Sequence, residues 1–168
     1  MIKYCIDTNA ILDLCYRYYP SSIFSNIWDM LESSVLSRQI KIIISQHIHE
    51  EVYDRATLMS YDKTILDNFL RKFQVDIISK KEYEEELAQL QAELLNITPL
   101  KSSIAKNTDD LSNICVAQKE LATIITAEQG SPLNITDKQY KRLKIPDTCR
   151  HYKLGCQNWI PMFEYIGV

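Results

Sequence analysis

Four carboxylates in this chain stand where an acid is costly unless something uses it. Asp7 ends the apolar run IKYCI and is followed by Thr8 and Asn9. In SQHIHEEVYD, Glu51 falls on the stripe of Ile48, Val52 and Met59, whereas Glu50 shares its face with Asp54 and Thr57. Asp110 precedes Ile114, Ala117 and Leu121 at i+4, i+7 and i+11, the spacing of one inward helix face, while Asp109 sits off that face and suits capping. Glu128 closes Thr126-Ala127-Glu128 after another apolar run. An acid on an apolar stripe needs a partner. Carboxylates packed together repel and raise one another's pKa. A hard divalent cation with oxygen ligands relieves that repulsion, and Mg²⁺ or Mn²⁺ suits an all-carboxylate set that keeps some waters. Any one of these acids alone reads more readily as a helix cap or a surface charge. Their coincidence at element ends makes a candidate site.

The elements that must carry them follow from periodicity. Strands are expected at 2–6, 40–44, 75–78, 122–126 and around 155–158. Helical patterns fall near 8–18, 22–35, 45–59, 62–73, 80–96, 110–121, 147–153 and 160–166. Alternating strands and helices predict an α/β fold with a central, mainly parallel sheet of about five strands. The run KIIIS is continuously apolar and β-branched, as a strand covered on both faces should be. In such sheets function collects at the carboxyl ends of the strands, and Asp7, Glu51, Asp110 and Glu128 can converge there. Residues 80–95 form an amphipathic helix with Tyr83, Leu87, Leu90 and Leu94 inward and Glu84, Glu85 and Glu86 in its first turns, where the helix dipole favours them. Thr98-Pro99 stops it, and 100–108 reads as a mobile connection.

The 168 residues suit one domain spanning 1–168 with a core that needs no staples. There is no repeat, linker, low-complexity tract or bilayer-length apolar run, and MIKYCIDTN meets an acid before a signal peptide could form. A cytoplasmic location is expected. The five cysteines lack close pairing and read as reduced, buried thiols. Cys149, His151 and Cys156 lack the fourth ligand and the pair spacing of a zinc cluster. Net charge is −3, yet residues 129–168 hold six basic residues against three acids. That basic segment on an acidic body could meet phosphates or simply be solvated.

The ordered set CIDTNAIL, IIISQHIHEEV, DLSNICVAQKELATIIT and TAE resembles a PIN domain. The tail KIPDTCRHYKLGCQNWIPMFEYIG, with RYYP and FSNIWDMLE earlier, resembles an uncharacterised PIN-like branch with a Lys-Ile-Pro-Asp motif. The resemblance covers nearly the whole chain. It implies a three-layer α/β/α PIN-like fold and a Mg²⁺- or Mn²⁺-dependent ribonuclease, most often the VapC-type toxin of a bacterial toxin–antitoxin pair. An RNA substrate, a cognate antitoxin and a homodimer follow from it. It makes Asp7, Glu51, Asp110 and Glu128 the metal ligands, with Asn9 bracing Asp7 by hydrogen bonding and Thr126 beside the site. Many PIN domains have Asp where Glu128 stands, so Asp137 is the alternative last ligand; Asp147 is expected to begin the helix after Pro146.

Lys138, Tyr140, Lys141, Arg142 and Lys144 give a basic strip with one aromatic, compatible with single-stranded nucleic acid, and Arg17, Tyr18 and Tyr19 could form an opposite rim. Hydrolysis by metal-activated water needs no side-chain nucleophile, and no Ser-His-Asp set exists. His47 and His49 read as surface or capping residues. A haloacid-dehalogenase-type phosphatase would need a second acid at position 9, which is Asn. A PIN-like scaffold that binds a protein or nucleic-acid partner and cuts nothing is the reading from another class.

Overall fold

The run Ile40–Ser45 shows how the sheet is built. Ile42 and Ile44 enter a core of 25 buried residues on one face, while Ile43 enters a core of 20 on the other. Continuous β-branched apolar residues are what a strand between two helical layers requires. The computed structural model describes residues 1–168. Its strands are β1 (Ile2–Ile6), β2 (Ile40–Ser45), β3 (Asp76–Ile78), β4 (Thr123–Ile125) and β5 (Cys156–Gln157). They form one sheet in the order β3-β2-β1-β4-β5, every pairing parallel. With helices on both faces, this is the three-layer α/β/α architecture.

The helices are α1 (Thr8–Leu12), α2 (Ser25–Leu36), α3 (Gln46–Leu58), α4 (Lys63–Lys72), α5 (Glu84–Ile97), α6 (Lys101–Ile104), α7 (Thr108–Glu120), α8 (Ile145–Tyr152) and α9 (Trp159–Ile166). None is long and apolar enough to cross a membrane. Helices α1–α4 and α9 bury their apolar stripes in the first core; α5–α8 bury theirs in the second. Helix α7 is the most enclosed, with Leu111 through Ala117 all buried.

The strand order places the site. The connection from β1 runs to β2 on one side, whereas β4 lies on the other side of β1. The order reverses at β1 and β4, which opens a crevice beyond their carboxyl ends. Asp7 leaves one of these strands and Thr126 the other, and Asp7 N–H donates to the Ile125 carbonyl at 2.9 Å.

Several boundaries differ from the sequence expectations, for local reasons. The first helix does not run evenly over 8–18. After Leu12 it widens into a π-turn over Asp13–Arg17, where Tyr18 N–H reaches the Asp13 carbonyl at 2.9 Å. The second begins at Ser25 because Pro20 and the turn after it occupy 20–24. The 80–96 pattern breaks at Tyr83: a 3₁₀ turn over Lys80–Glu82, closed by a Ser79/Glu82 capping box, precedes α5. Residues 100–108 are not a mobile connection. They form α6 and a 3₁₀ turn over Ala105–Asn107, anchored by buried Ile104. Leu121 is not on the inward face of α7, because it is the left-handed C-cap (φ 53°) and 91% exposed.

Candidate functional site

Asp7 is the residue before α1, with extended backbone, and its side chain caps nothing. Its carbonyl accepts the helical bond from Ile11 N–H, and its carboxylate is 1% exposed. The Thr126 hydroxyl donates to Asp7 Oδ2 at 3.1 Å and accepts from Glu128 N–H at 3.1 Å. The tip of β4 thus braces Asp7 and orients the backbone that carries Glu128.

Two serines fix the other two acids. Ser45 ends β2 and caps α3, its Oγ accepting from Ile48 N–H at 3.1 Å. That cap sets the rotation of α3 so that Glu51 points to the crevice, while exposed Glu50 pairs with Lys80 at 2.5 Å. Ser45 Oγ also meets Ser112 Oγ at 2.7 Å, tying the first turn of α3 to α7 and so to Asp110.

These placements bring Asp7, Glu51, Asp110 and Glu128 to the wall of one pocket of about 150 Å³ with no hydrophobic side chain in its lining. Asn9 and Asp109 line it as well. Burial pushes the Asp7 carboxyl up to about 8, and the charge of Asp110 adds to the effect; the Thr126 hydrogen bond opposes it. Asp110 is pushed up to about 7, first by burial and then by Glu128, Glu51 and Asp109, with Arg142 opposing. Mutual repulsion among these acids is therefore a property of the folded chain.

The donor set, all carboxylate oxygen, fits a hard divalent cation. As the side chains stand, no three His, Cys, Asp or Glu residues are arranged to hold an ion. The two glutamates face other partners: Glu51 accepts from the Thr8 hydroxyl at 2.6 Å and from Arg55 at 3.2 Å, and Glu128 from Ile145 N–H at 2.9 Å, with Arg142 at 3.8 Å.

Several sequence expectations need correction. Asn9 lines the pocket but makes no hydrogen bond to Asp7; the group bracing Asp7 is the Thr126 hydroxyl, which the pairing of β1 with β4 brings against its carboxylate. Asp137 is not an alternative ligand, because its Oδ2 closes a turn by accepting from Asn134 N–H at 2.7 Å and it does not line the pocket. Asp109 is no cap: Asn107 precedes α7, and Asp109, in the first turn, lines the pocket with its pKa raised by burial and by Glu51. Asp147 sits in the first turn of α8, as expected, but is fully buried. His47 is half-buried, its Nδ1 2.7 Å from the Tyr83 hydroxyl, so it belongs to the α3–α5 packing.

The basic residues divide. Lys141, Arg142 and Lys144 line a second, larger cavity, and Arg142 lines the acidic pocket too. Lys138 is exposed and lines neither. Arg17 pairs with Asp13 at 3.4 Å and also lines neither. Tyr18 and Tyr19 line a separate cavity with Thr126, Ala127 and Trp159. Tyr140 is no stacking platform, since it is buried with its hydroxyl on Asp147. The sequence reading missed Thr8 and Arg55, which hold Glu51, and Lys106 and Asn107, which line the pocket. Arg55 was findable at i+4 from Glu51; Lys106 and Asn107 lay in the segment read as mobile. All five cysteines are free thiols.

No curated protein matches the chain. A family model described as a domain of unknown function, DUF4411, matches residues 4–168, and the chain belongs to that family.

Proposed function

We propose that the chain is a Mg²⁺- or Mn²⁺-dependent endoribonuclease that hydrolyses RNA phosphodiester bonds. One observation supports this reading above the others: acids from four separate elements line a single polar pocket at the topological switch point, and burial and repulsion raise two of them far above ordinary carboxylates. Asp7, Glu51, Asp110 and Glu128 would hold the ion, with Glu51 and Glu128 turning from their present partners. When bound, the ion acidifies a water and offsets charge on the phosphoryl oxygens.

The chain's own residues do the rest. Thr126 keeps Asp7 in one rotamer. Arg142, exposed between the acidic pocket and the basic cavity, supplies donors for a non-bridging phosphate oxygen. In the reaction a P–O bond forms to water, the P–O bond to the leaving oxygen breaks, and that oxygen gains a proton.

The resemblance to PIN domains supports the finer reading: the toxin of a toxin–antitoxin pair, acting in the cytoplasm, with a cognate antitoxin and a homodimeric assembly. The second reading, a catalytically silent scaffold, draws on the engagement of both glutamates by groups of the chain itself. A nuclease assay on quenched fluorescent RNA separates the two. Cleavage that needs Mg²⁺ or Mn²⁺ and is lost in Asp7→Asn supports the enzyme; no cleavage with either ion favours the scaffold.

A further inference from the structure

The segment 129–144 between β4 and α8 contains neither strand nor helix, yet it is pinned from beneath. Asp147, 0% exposed, accepts from Ser131 N–H at 2.7 Å through Oδ1 and from the Tyr140 hydroxyl at 2.8 Å through Oδ2. Tyr140 Oη in turn accepts from Lys144 N–H at 3.1 Å. Arg150 donates to the Ser131 carbonyl at 3.0 Å, the Leu133 carbonyl at 2.7 Å and Asp147 itself at 3.2 Å. One buried carboxylate therefore joins the two arms of the segment, 130–133 and 139–144. Gly130 fits closely over it, since a Cβ there would stand 2.9 Å from Asp147 Oδ1.

Between the arms lies an open cavity of about 590 Å³, within the roughly 300–1,000 Å³ typical of small-molecule sites. Pro132 and Leu133 line one arm; Lys141 and Arg142 line the other. Lys144 also lines it, but its ammonium is held by the Gln129 carbonyl at 2.8 Å. An apolar wall opposite cations matches a ligand with a flat ring and a phosphate, hence a nucleotide. Arg142 reaches both this cavity and the acidic pocket, so the two are adjoining stations.

We propose that this cavity seats one unpaired nucleotide of a single-stranded RNA next to the phosphate in the acidic pocket, its base against Pro132 and Leu133 and its phosphate on Lys141 and Arg142. Asp147 is the positioning residue, acting through Tyr140 and Ser131. The proposal rests on the ribonuclease reading for its substrate class. Paired bases are stacked inside a helix and cannot enter a concave site, which selects the single strand. A free nucleoside monophosphate offers the same chemistry and is separated by the test.

The test measures anisotropy of a labelled 12-nucleotide single-stranded RNA against the full chain in EDTA, where cleavage is silent. Lys141→Ala should weaken binding about three- to tenfold and lower the salt slope by about one. Tyr140→Phe, which frees one arm from Asp147, should raise the oligonucleotide Kd, and the KM for cleavage, while kcat stays within twofold. Duplex RNA of the same sequence and adenosine monophosphate should compete poorly. Unchanged Kd and salt slope in Lys141→Ala, duplex binding as tight as single-strand binding, or full competition by the mononucleotide at equal concentration would each overturn the proposal. Metal-dependent cleavage with KM unaffected by Lys141→Ala and Tyr140→Phe sinks the cavity and leaves the nuclease. Strand binding that depends on Lys141, with no cleavage under any divalent ion, sinks the nuclease and keeps the cavity as a strand-binding site.

Discussion

In metal-free protein, Asp7→Asn should stabilise the fold at pH 8 and do almost nothing at pH 4. Burial and neighbouring acids push the Asp7 carboxyl from 3.8 up to about 8. The native state therefore holds a proton that the unfolded chain releases above about pH 4, and stability falls as pH rises between those two values. The slope for one proton is about 1.4 kcal/mol per pH unit. Across about four pH units this gives a ceiling of about 5.5 kcal/mol, and water entering the polar pocket should cut it to roughly 2–3 kcal/mol. Asparagine keeps an oxygen for the Thr126 hydroxyl and removes the charge that acts on Asp110 and Glu128. At about 2–4 °C per kcal/mol for a domain of this size, Asp7→Asn should melt roughly 5–10 °C above wild type at pH 8 in EDTA. The gap should shrink as the pH falls and nearly close at pH 4, where the unfolded chain takes up a proton at Asp7 as well. Thermal melts of both proteins at pH 4, 6 and 8 suffice. A variant no more stable than wild type at pH 8, or equally stabilised at both ends, would refute the idea that charge strain is stored at Asp7.

Divalent binding should act on the same strain: at one hundred times its Kd, Mg²⁺ or Mn²⁺ adds about 2.7 kcal/mol, read as a higher melting temperature in wild type and little shift in Asp7→Asn. In the RNA assay Asp110→Asn should lose at least a hundredfold, whereas Asp109→Asn, at the pocket edge, should lose less than tenfold; equal losses would show that the two acids share one role. Asp147→Ala strands the Ser131 N–H and the Tyr140 hydroxyl proton and removes one of three acceptors from Arg150, and should cost about 3 kcal/mol by chemical denaturation. Expressed in bacteria, the wild-type chain should slow growth and Asp7→Ala should relieve it, with harmless wild-type expression counting for the scaffold.

The parts legible in the sequence were those governed by periodicity. β1 could be bounded at Ile6 because the covered part of the strand, Tyr4-Cys5-Ile6, is apolar and then stops at a charge. The inward stripe of Tyr83, Leu87, Leu90 and Leu94 was readable for the same reason, and all four are buried. Choosing Glu51 over Glu50 needed only helical spacing, and the two side chains do part company: Glu50 is exposed on Lys80, while Glu51 lines the pocket. Where the outcome depended on one backbone angle, periodicity failed. Leu121 has the right spacing but a left-handed conformation, so its side chain leaves the face that Ile114 and Ala117 occupy.

The carboxylates beside turns and helix starts divide for a different reason. Asp109, Asp137 and Asp147 have similar local settings in the sequence, each near a turn or a helix start, where a carboxylate most often caps. Only Asp137 does so, closing its own turn at Asn134. Asp109 faces the pocket because the helix starts earlier than the Asp-Asp pair suggests, at Thr108, and this start depends on the 3₁₀ turn of Ala105–Asn107. Asp147 is taken inward by α8 and becomes the anchor of the preceding loop, which it holds at Ser131, sixteen residues earlier. What decides the role of a carboxylate here is which distant backbone N–H or hydroxyl it meets. Spacing along one element carries no information about that, whereas the strand order does: by bringing the end of β4 beside the end of β1, it puts Thr126 on Asp7 and leaves the remaining acids to face one another.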